Sequence, residues 1–126
     1  MKLYNLLQIR AIINEHIKDT DLMPAQSAYK IMKIMKNTQN DVIFYQDQIN
    51  KIINTYGEKD EKGNLIQQEQ GVKIIENKLP ECNQKMAELN NTEIEFPNIK
   101  FSLEELEPFK FSVADMYQLD EIIKED

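Results

Sequence analysis

The sequence predicts a mainly α-helical protein, built as a long antiparallel helical hairpin or a small bundle, with a minor β element (α+β) and a C-terminal helix. Apolar residues recur three and four positions apart over much of the chain, which is the period of one helix face. The 126 residues are 41% hydrophobic and 29% charged, as in ordinary folded proteins. A chain of this length predicts a single domain over residues 1–126.

The first two helices follow from this spacing. Leucine and isoleucine residues give residues 3–18 one broad apolar face, which predicts the first helix. Pro24 suits the first turn of a second helix, where its missing N–H has no partner to lose. Gly57 favours the end of that helix, so the second helix is predicted over residues 24–56.

The second helix carries the strongest pattern in the sequence, an apolar seam with heptad spacing. A helix of about 32 residues is roughly 48 Å long, which is more than a compact domain of this size usually needs. The seam is therefore expected to pack against another helix or against a second copy of itself. Further apolar residues beside the seam, such as Ile43 and Phe44, favour a bundle. The heptad seam, our candidate interaction surface, consists of Ile31, Met35, Val42, Tyr45, Ile49, Ile52 and Tyr56.

The second half of the chain predicts shorter elements. Residues 65–67 and 72–75 are expected to pair as a short β-hairpin, and residues 77–90 to form a third helix with Pro80 in its first turn. Period-two alternation predicts a strand over residues 93–101.

Two capping boxes are predicted near the C-terminus. Ser102, with Glu105 three residues later, predicts the start of a short helical turn. Ser112 and Asp115 repeat this motif before a last helix over residues 113–124.

The net charge is −7 and is concentrated near the C-terminus, where residues 93–126 contain ten acidic and three basic residues. Because phosphate repels such a chain, direct nucleic-acid binding is not expected. The acidic residues instead form a candidate surface for a basic partner. This candidate acidic surface consists of Glu93, Glu95, Glu104, Glu105, Glu107, Asp120 and Glu121.

The sequence offers little material for catalysis. His16 is the single histidine, which excludes sites that need two imidazoles, and it is expected to be a surface or boundary residue on the first helix. Cys82 shares the apolar spacing of its helix, so it is predicted to be a small buried hydrophobic residue. We therefore predict that the protein is not an enzyme, with no catalytic residues, no cofactor and no metal site.

The apolar runs are only a few residues long, whereas a membrane span needs about 20. The N-terminal residues also lack the apolar core and cleavage site of a secretory signal. These features predict a cytoplasmic protein without a membrane partner.

The order of several segments carries a resemblance. A short apolar helix precedes a long one, which ends with Tyr56-Gly57-Glu58-Lys59-Asp60-Glu61-Lys62-Gly63-Asn64. Next come Leu89-Asn90-Asn91-Thr92-Glu93-Ile94-Glu95-Phe96 and then the closing segment 111–123. This order resembles small uncharacterised proteins encoded by tailed bacteriophages and prophages of low-GC bacteria. The resemblance implies a location in the host cytoplasm or in the virion. It implies no activity and no functional residues.

The functional prediction is a noncatalytic protein–protein interaction protein, encoded by a phage and acting as a virion-assembly or accessory factor. Its partner is another protein or a second copy of the chain. One alternative is an acidic inhibitor of a host nucleic-acid enzyme, which would occupy a basic groove as phosphate does. Another alternative is a holdase-like chaperone, which would form an oligomer and bind unfolded clients.

Overall fold

The computed structural model describes residues 1–125 and confirms a mainly α-helical fold with a small antiparallel sheet. Short 3₁₀ turns at Glu76–Lys78 and Asp120–Ile122 adjoin two of the helices. The helices are α1 (Leu3–His16), α2 (Ala25–Asn37), α3 (Gln39–Tyr56), α4 (Leu79–Asn90), α5 (Leu103–Leu106) and α6 (Val113–Leu119), and the strands are β1 (Gln67–Gln68) and β2 (Gly71–Val72).

Helix α1 lies at the centre of the fold because its apolar residues belong to two core clusters. Its first turns pack with α4 in the second core cluster, and its later turns pack with α2, α5 and α6 in the first. The first core cluster consists of Ile9, Ile12, Ile13, Ile34, Phe101, Leu106, Leu119 and Ile122. The second core cluster consists of Leu3, Leu6 and Leu89.

The single helix predicted over residues 24–56 is a bent segment, because α2 and α3 meet at Thr38. The buried Thr38 hydroxyl donates to the Ile34 carbonyl at 2.6 Å, a bond to the preceding turn that bends helices. Arg10 of α1 donates to the Thr38 hydroxyl at 2.7 Å and to the Met35 carbonyl at 2.9 Å. In an uninterrupted helix that carbonyl would accept from the Gln39 amide. The seam pattern gave no sign of this contact from α1.

The predicted hairpin is present, but its strands are shorter than expected and lie closer to the turn. Gln67 pairs with Val72 and Gln68 with Gly71. Of the predicted strands 65–67 and 72–75, only Gln67 and Val72 therefore belong to the observed strands. Gly71, with φ of 114°, supplies a backbone conformation that other residues rarely adopt.

Gly57 ends α3 as predicted, but for a different reason. Its φ of −71° is ordinary, so no left-handed conformation is needed. A Cβ at this position would lie 2.5 Å from the Ile53 carbonyl oxygen and 2.6 Å from Leu65 Cδ2. Glycine therefore allows Leu65, which precedes β1, and Val72 of β2 to pack closely against the end of α3.

The strand predicted over residues 93–101 is wrong. This segment forms only one isolated bridge at each end, Lys2 with Glu93 and Phe101 with Ile123, and the Ile99 amide donates to the Pro97 carbonyl in a tight turn between them. Pro97 has no N–H to donate, and the elements beside the segment are helices, which offer no strand edge for a continuous ladder.

Local capping signals were more accurate than the predicted helix lengths. Pro80 lies in the first turn of α4, and both predicted capping boxes form, at Ser102 and at Ser112. However, α1 ends at His16 instead of residue 18, and α6 ends at Leu119 instead of residue 124.

Within residues 1–125, no helix combines the length and the hydropathy that crossing a lipid bilayer requires.

Candidate functional site

The part of the heptad seam on α3 is largely covered by the chain itself. Tyr45, Ile49 and Ile52 pack against the second core cluster, which α1 and α4 supply. Tyr56 is buried, and its burial together with the nearby Glu81 carboxylate raises the pKa of its phenol. Val42 is half-buried beside the bend. This part of the seam is therefore mainly a structural contact between helices.

The seam residues on α2 lie in a different setting, an open groove between α1 and α2. We call this the α1–α2 groove; its volume is about 790 Å³. Ile31 and Met35 form its floor together with Ile13 and Ile17 of α1, and they pack below against the first core cluster. Met32 lies at the rim and is 46% exposed. The bend thus separates a part of the seam that packs between α1 and α4 from a part that lines an open groove.

The loop between α1 and α2 closes one end of the groove. Asp19, Asp21 and Met23 line that end, and the Lys18 amide donates to the Asp21 carboxylate at 2.8 Å, which holds the loop in place. Leu22, between two lining residues, is 99% exposed. Sequence analysis missed this loop, although an apolar Leu-Met pair between an aspartate and a proline was a visible signal.

Helix α2 is held against α5 by a partly buried ionic cluster. Lys30 donates to Glu105 at 2.7 Å, the Ser27 hydroxyl donates to the same carboxylate at 2.9 Å, and the Ser102 amide donates at 3.0 Å. Burial alone would raise the pKa of Glu105, but these hydrogen bonds outweigh it and lower the pKa to about 2. The carboxylate therefore stays ionised and fixes one wall of the groove.

The other wall is fixed where α1 ends. His16 Nε2 lies 3.0 Å from Asp115 Oδ2, and the imidazole meets the Phe111 ring edge-on at a centroid distance of 4.9 Å. The Ser112 amide donates to the same carboxylate, and this bond is the main reason why the pKa of Asp115 is lowered. His16 thus has the boundary position that was predicted and joins α1 to the start of α6.

The candidate acidic surface is less free than its composition suggests. Glu105 belongs to the internal cluster with Lys30, so its placement on an open surface was wrong. Glu93 pairs with the N-terminal amino group at 3.2 Å, and Glu121 accepts from the Asn5 side-chain amide at 3.1 Å. The members that are exposed without a side-chain hydrogen bond or ion pair within residues 1–125 are Glu95, Glu104, Glu107 and Asp120.

Cys82 is buried on α4, and burial raises the pKa of its thiol. A raised pKa disfavours the nucleophilic thiolate. In the part of the chain that the structure describes, no group of three or more His, Cys, Asp or Glu side chains is arranged to hold a metal ion.

Comparison of the chain with protein-family models, with curated proteins and with solved structures finds no match.

Proposed function

We propose that this chain is a noncatalytic protein–protein interaction protein that binds its partner through the α1–α2 groove. The observation that carries the proposal is the groove itself, an apolar floor that stays open to solvent between two helices held in place by side-chain polar contacts. Protein interfaces combine such an apolar centre with a polar rim. Here the charged residues Lys18, Asp19 and Lys36 surround the floor.

The shape and chemistry of the groove define the kind of segment that fits it. The lining of α2 runs from Ala28 to Lys36, which is about 12 Å or two helical turns, and Gln39 at the start of α3 extends it past the bend. An amphipathic helix or a helical hairpin tip can place apolar side chains along such a length. The methionines Met23, Met32 and Met35 have flexible, polarisable side chains that adapt to the contours of a partner.

The resemblance to phage and prophage proteins suggests the setting, in which the partner belongs to virion assembly or to a complex with an accessory subunit. The groove supports binding by shape and apolar contact. The inhibitor hypothesis has less support, because Glu93, Glu105 and Glu121 are already engaged in contacts within the chain.

Site-specific photocrosslinking in the cell that produces the protein tests this proposal. A photoreactive amino acid replaces Met32 at the groove rim, and a matched control replaces Tyr117 on α6, which is 80% exposed. We expect a discrete adduct from position 32 and none from position 117. Adding Met23→Asp should abolish the adduct while leaving the circular dichroism spectrum unchanged, since Met23 belongs to neither core cluster.

An adduct pattern that is the same from both positions, or that survives Met23→Asp, would contradict a specific site at the groove. The greater exposure of Tyr117 makes it a strict control, because random collisions favour the more exposed position.

A further inference from the structure

We infer that the α1–α2 groove binds the same region of a second copy of this chain, forming a dimer with two-fold symmetry. This inference rests on the proposed function, because it names the partner of the same groove. Three features make this surface self-complementary, so that it can pair with a second copy of itself. They are an exposed leucine beside an apolar groove, small residues facing large ones along α2, and opposite charges at the two ends of the groove.

Leu22 is the protruding part of this surface. It is 99% exposed, whereas the neighbouring residues Asp21 and Met23 line the groove. A leucine in that position makes no packing contact within its own chain. A two-fold dimer would bury the Leu22 side chain of each copy at the far end of the other copy's groove, beside Met35 and Gln39.

The register of α2 against a second α2 is also complementary. A two-fold axis passing between Ala28 and Tyr29 makes the helices antiparallel and places Ala25 of each copy opposite Met32 of the other. Ala25 and Ala28 are both exposed, and the same axis places Ala28 opposite Tyr29 of the other copy, so a small residue again faces a large one. The large rim side chain of Met32 therefore meets a small residue.

The charges favour the antiparallel arrangement. The loop end of the groove carries Asp19, Asp21 and Lys18, and the opposite end carries Lys36, with Lys33 exposed one turn earlier. The loop end thus has a net charge of −1 and the opposite end is positive. In the antiparallel dimer each negative end faces a positive end, whereas a parallel pair would juxtapose like charges.

The groove and loop form a small surface, so we expect a reversible dimer with a dissociation constant on the order of micromolar. Sedimentation equilibrium of the full chain from about 1 to 500 µM measures this constant. Leu22→Asp should raise it at least tenfold. Val113→Asp is the matched control, because Val113 is a 76% exposed aliphatic residue on α6 and should change the constant less than twofold.

A charge exchange tests the orientation. Asp19→Lys and Lys36→Asp should each weaken the dimer several-fold at low salt. The double variant should restore it, because each copy then supplies both reversed charges. Neither residue forms an ion pair within residues 1–125, so folding should be unaffected. Failure of the double variant to recover would overturn the antiparallel arrangement.

Crosslinking tests the register. In the proposed dimer the two Ala28 residues are adjacent across the axis, while the two Leu22 residues lie at opposite ends. A short bismaleimide should therefore link two copies of Ala28→Cys but not two copies of Leu22→Cys. The unmodified chain is the control, since its buried Cys82 should not react. Equal crosslinking of both variants would overturn the register.

The mass of the photocrosslinked adduct separates failure of this inference from failure of the proposed function. An adduct of about twice 14.9 kDa supports the second copy as partner. A chain that stays monomeric to 500 µM while position 32 crosslinks to a different protein overturns the dimer and leaves the proposed function standing. A monomer without any adduct overturns both.

Discussion

Replacing Glu105 with glutamine removes the negative charge at the centre of the cluster that ties α2 to α5. The side chain is 19% exposed and accepts hydrogen bonds from Lys30, Ser27 and the Ser102 amide. Glutamine has nearly the same shape and keeps one oxygen acceptor. The change in stability therefore reports the charge and its pairing with Lys30, and not a loss of packing.

The magnitude follows from the pKa of Glu105, which is about 2 in the folded protein compared with 4.5 as the ordinary value. A difference of that size corresponds to a ceiling of about 3 kcal/mol in the free energy of unfolding. Solvent screening at a partly exposed site reduces the expected contribution to about 1–2 kcal/mol. Because the folded pKa is lowered, this contribution is present above pH 4.5 and disappears as the pH falls from 4.5 to 2.

Urea unfolding followed by circular dichroism at pH 7 and near pH 2 measures the effect. Glu105→Gln should be about 1–2 kcal/mol less stable than the wild type at pH 7, and the difference should close near pH 2. Glu104→Gln is the matched control, since the neighbouring Glu104 is exposed and should change stability by less than about 0.5 kcal/mol. Equal stability of Glu105→Gln and wild type at pH 7, or a deficit that persists at pH 2, would show that the ionised Glu105 carboxylate does not stabilise the fold.

Three further substitutions test the fold. Gly57→Ala should cost about 1–3 kcal/mol in urea unfolding, because its Cβ would lie 2.5 Å from a backbone oxygen; an unchanged midpoint would contradict this close approach. Arg10→Met should lower the melting temperature and cost about 1–3 kcal/mol, because the Thr38 hydroxyl loses a donor in a buried position; a neutral result would mean that the bend does not depend on Arg10. Ile49→Asp should reduce the helical circular dichroism signal, because Ile49 packs against the second core cluster. The control Ile43→Asp, at a 50% exposed position of the same helix, should leave that signal unchanged. Dissociation of a folded oligomer by Ile49→Asp would instead place that part of the seam between chains.

Local signals in the sequence predicted the elements well because their causes lie within a few residues. The capping boxes at Ser102 and Ser112 need only a hydroxyl and a carboxylate three positions apart, and both form. Pro80 is confined to a first helical turn by its own ring, and it is found there. The 3.6-residue period also located the helical segments, since each helix buries one face.

The errors arose where a distant residue decides the structure. The bend at Thr38 depends on Arg10, which is 28 positions away, so the spacing of the seam alone could not reveal it. The strand predicted over residues 93–101 had the alternation of a strand but no partner to complete a ladder. Alternation predicts which side chains of a segment can be buried on one side. Strand pairing depends on whether another strand of the chain lies beside that segment.

Tertiary contacts decide which residues of the two candidate surfaces are already engaged within the chain. A charged or apolar side chain contributes to binding only if its own chain leaves it unsatisfied. Lys30 satisfies Glu105, and α1 and α4 cover Tyr45, Ile49 and Ile52, so these residues stabilise the fold. Leu22 has no such cover, because the short loop between α1 and α2 turns it away from both core clusters. The pattern of the sequence showed which residues are apolar or charged, but only the tertiary contacts show which of them remain available to a partner.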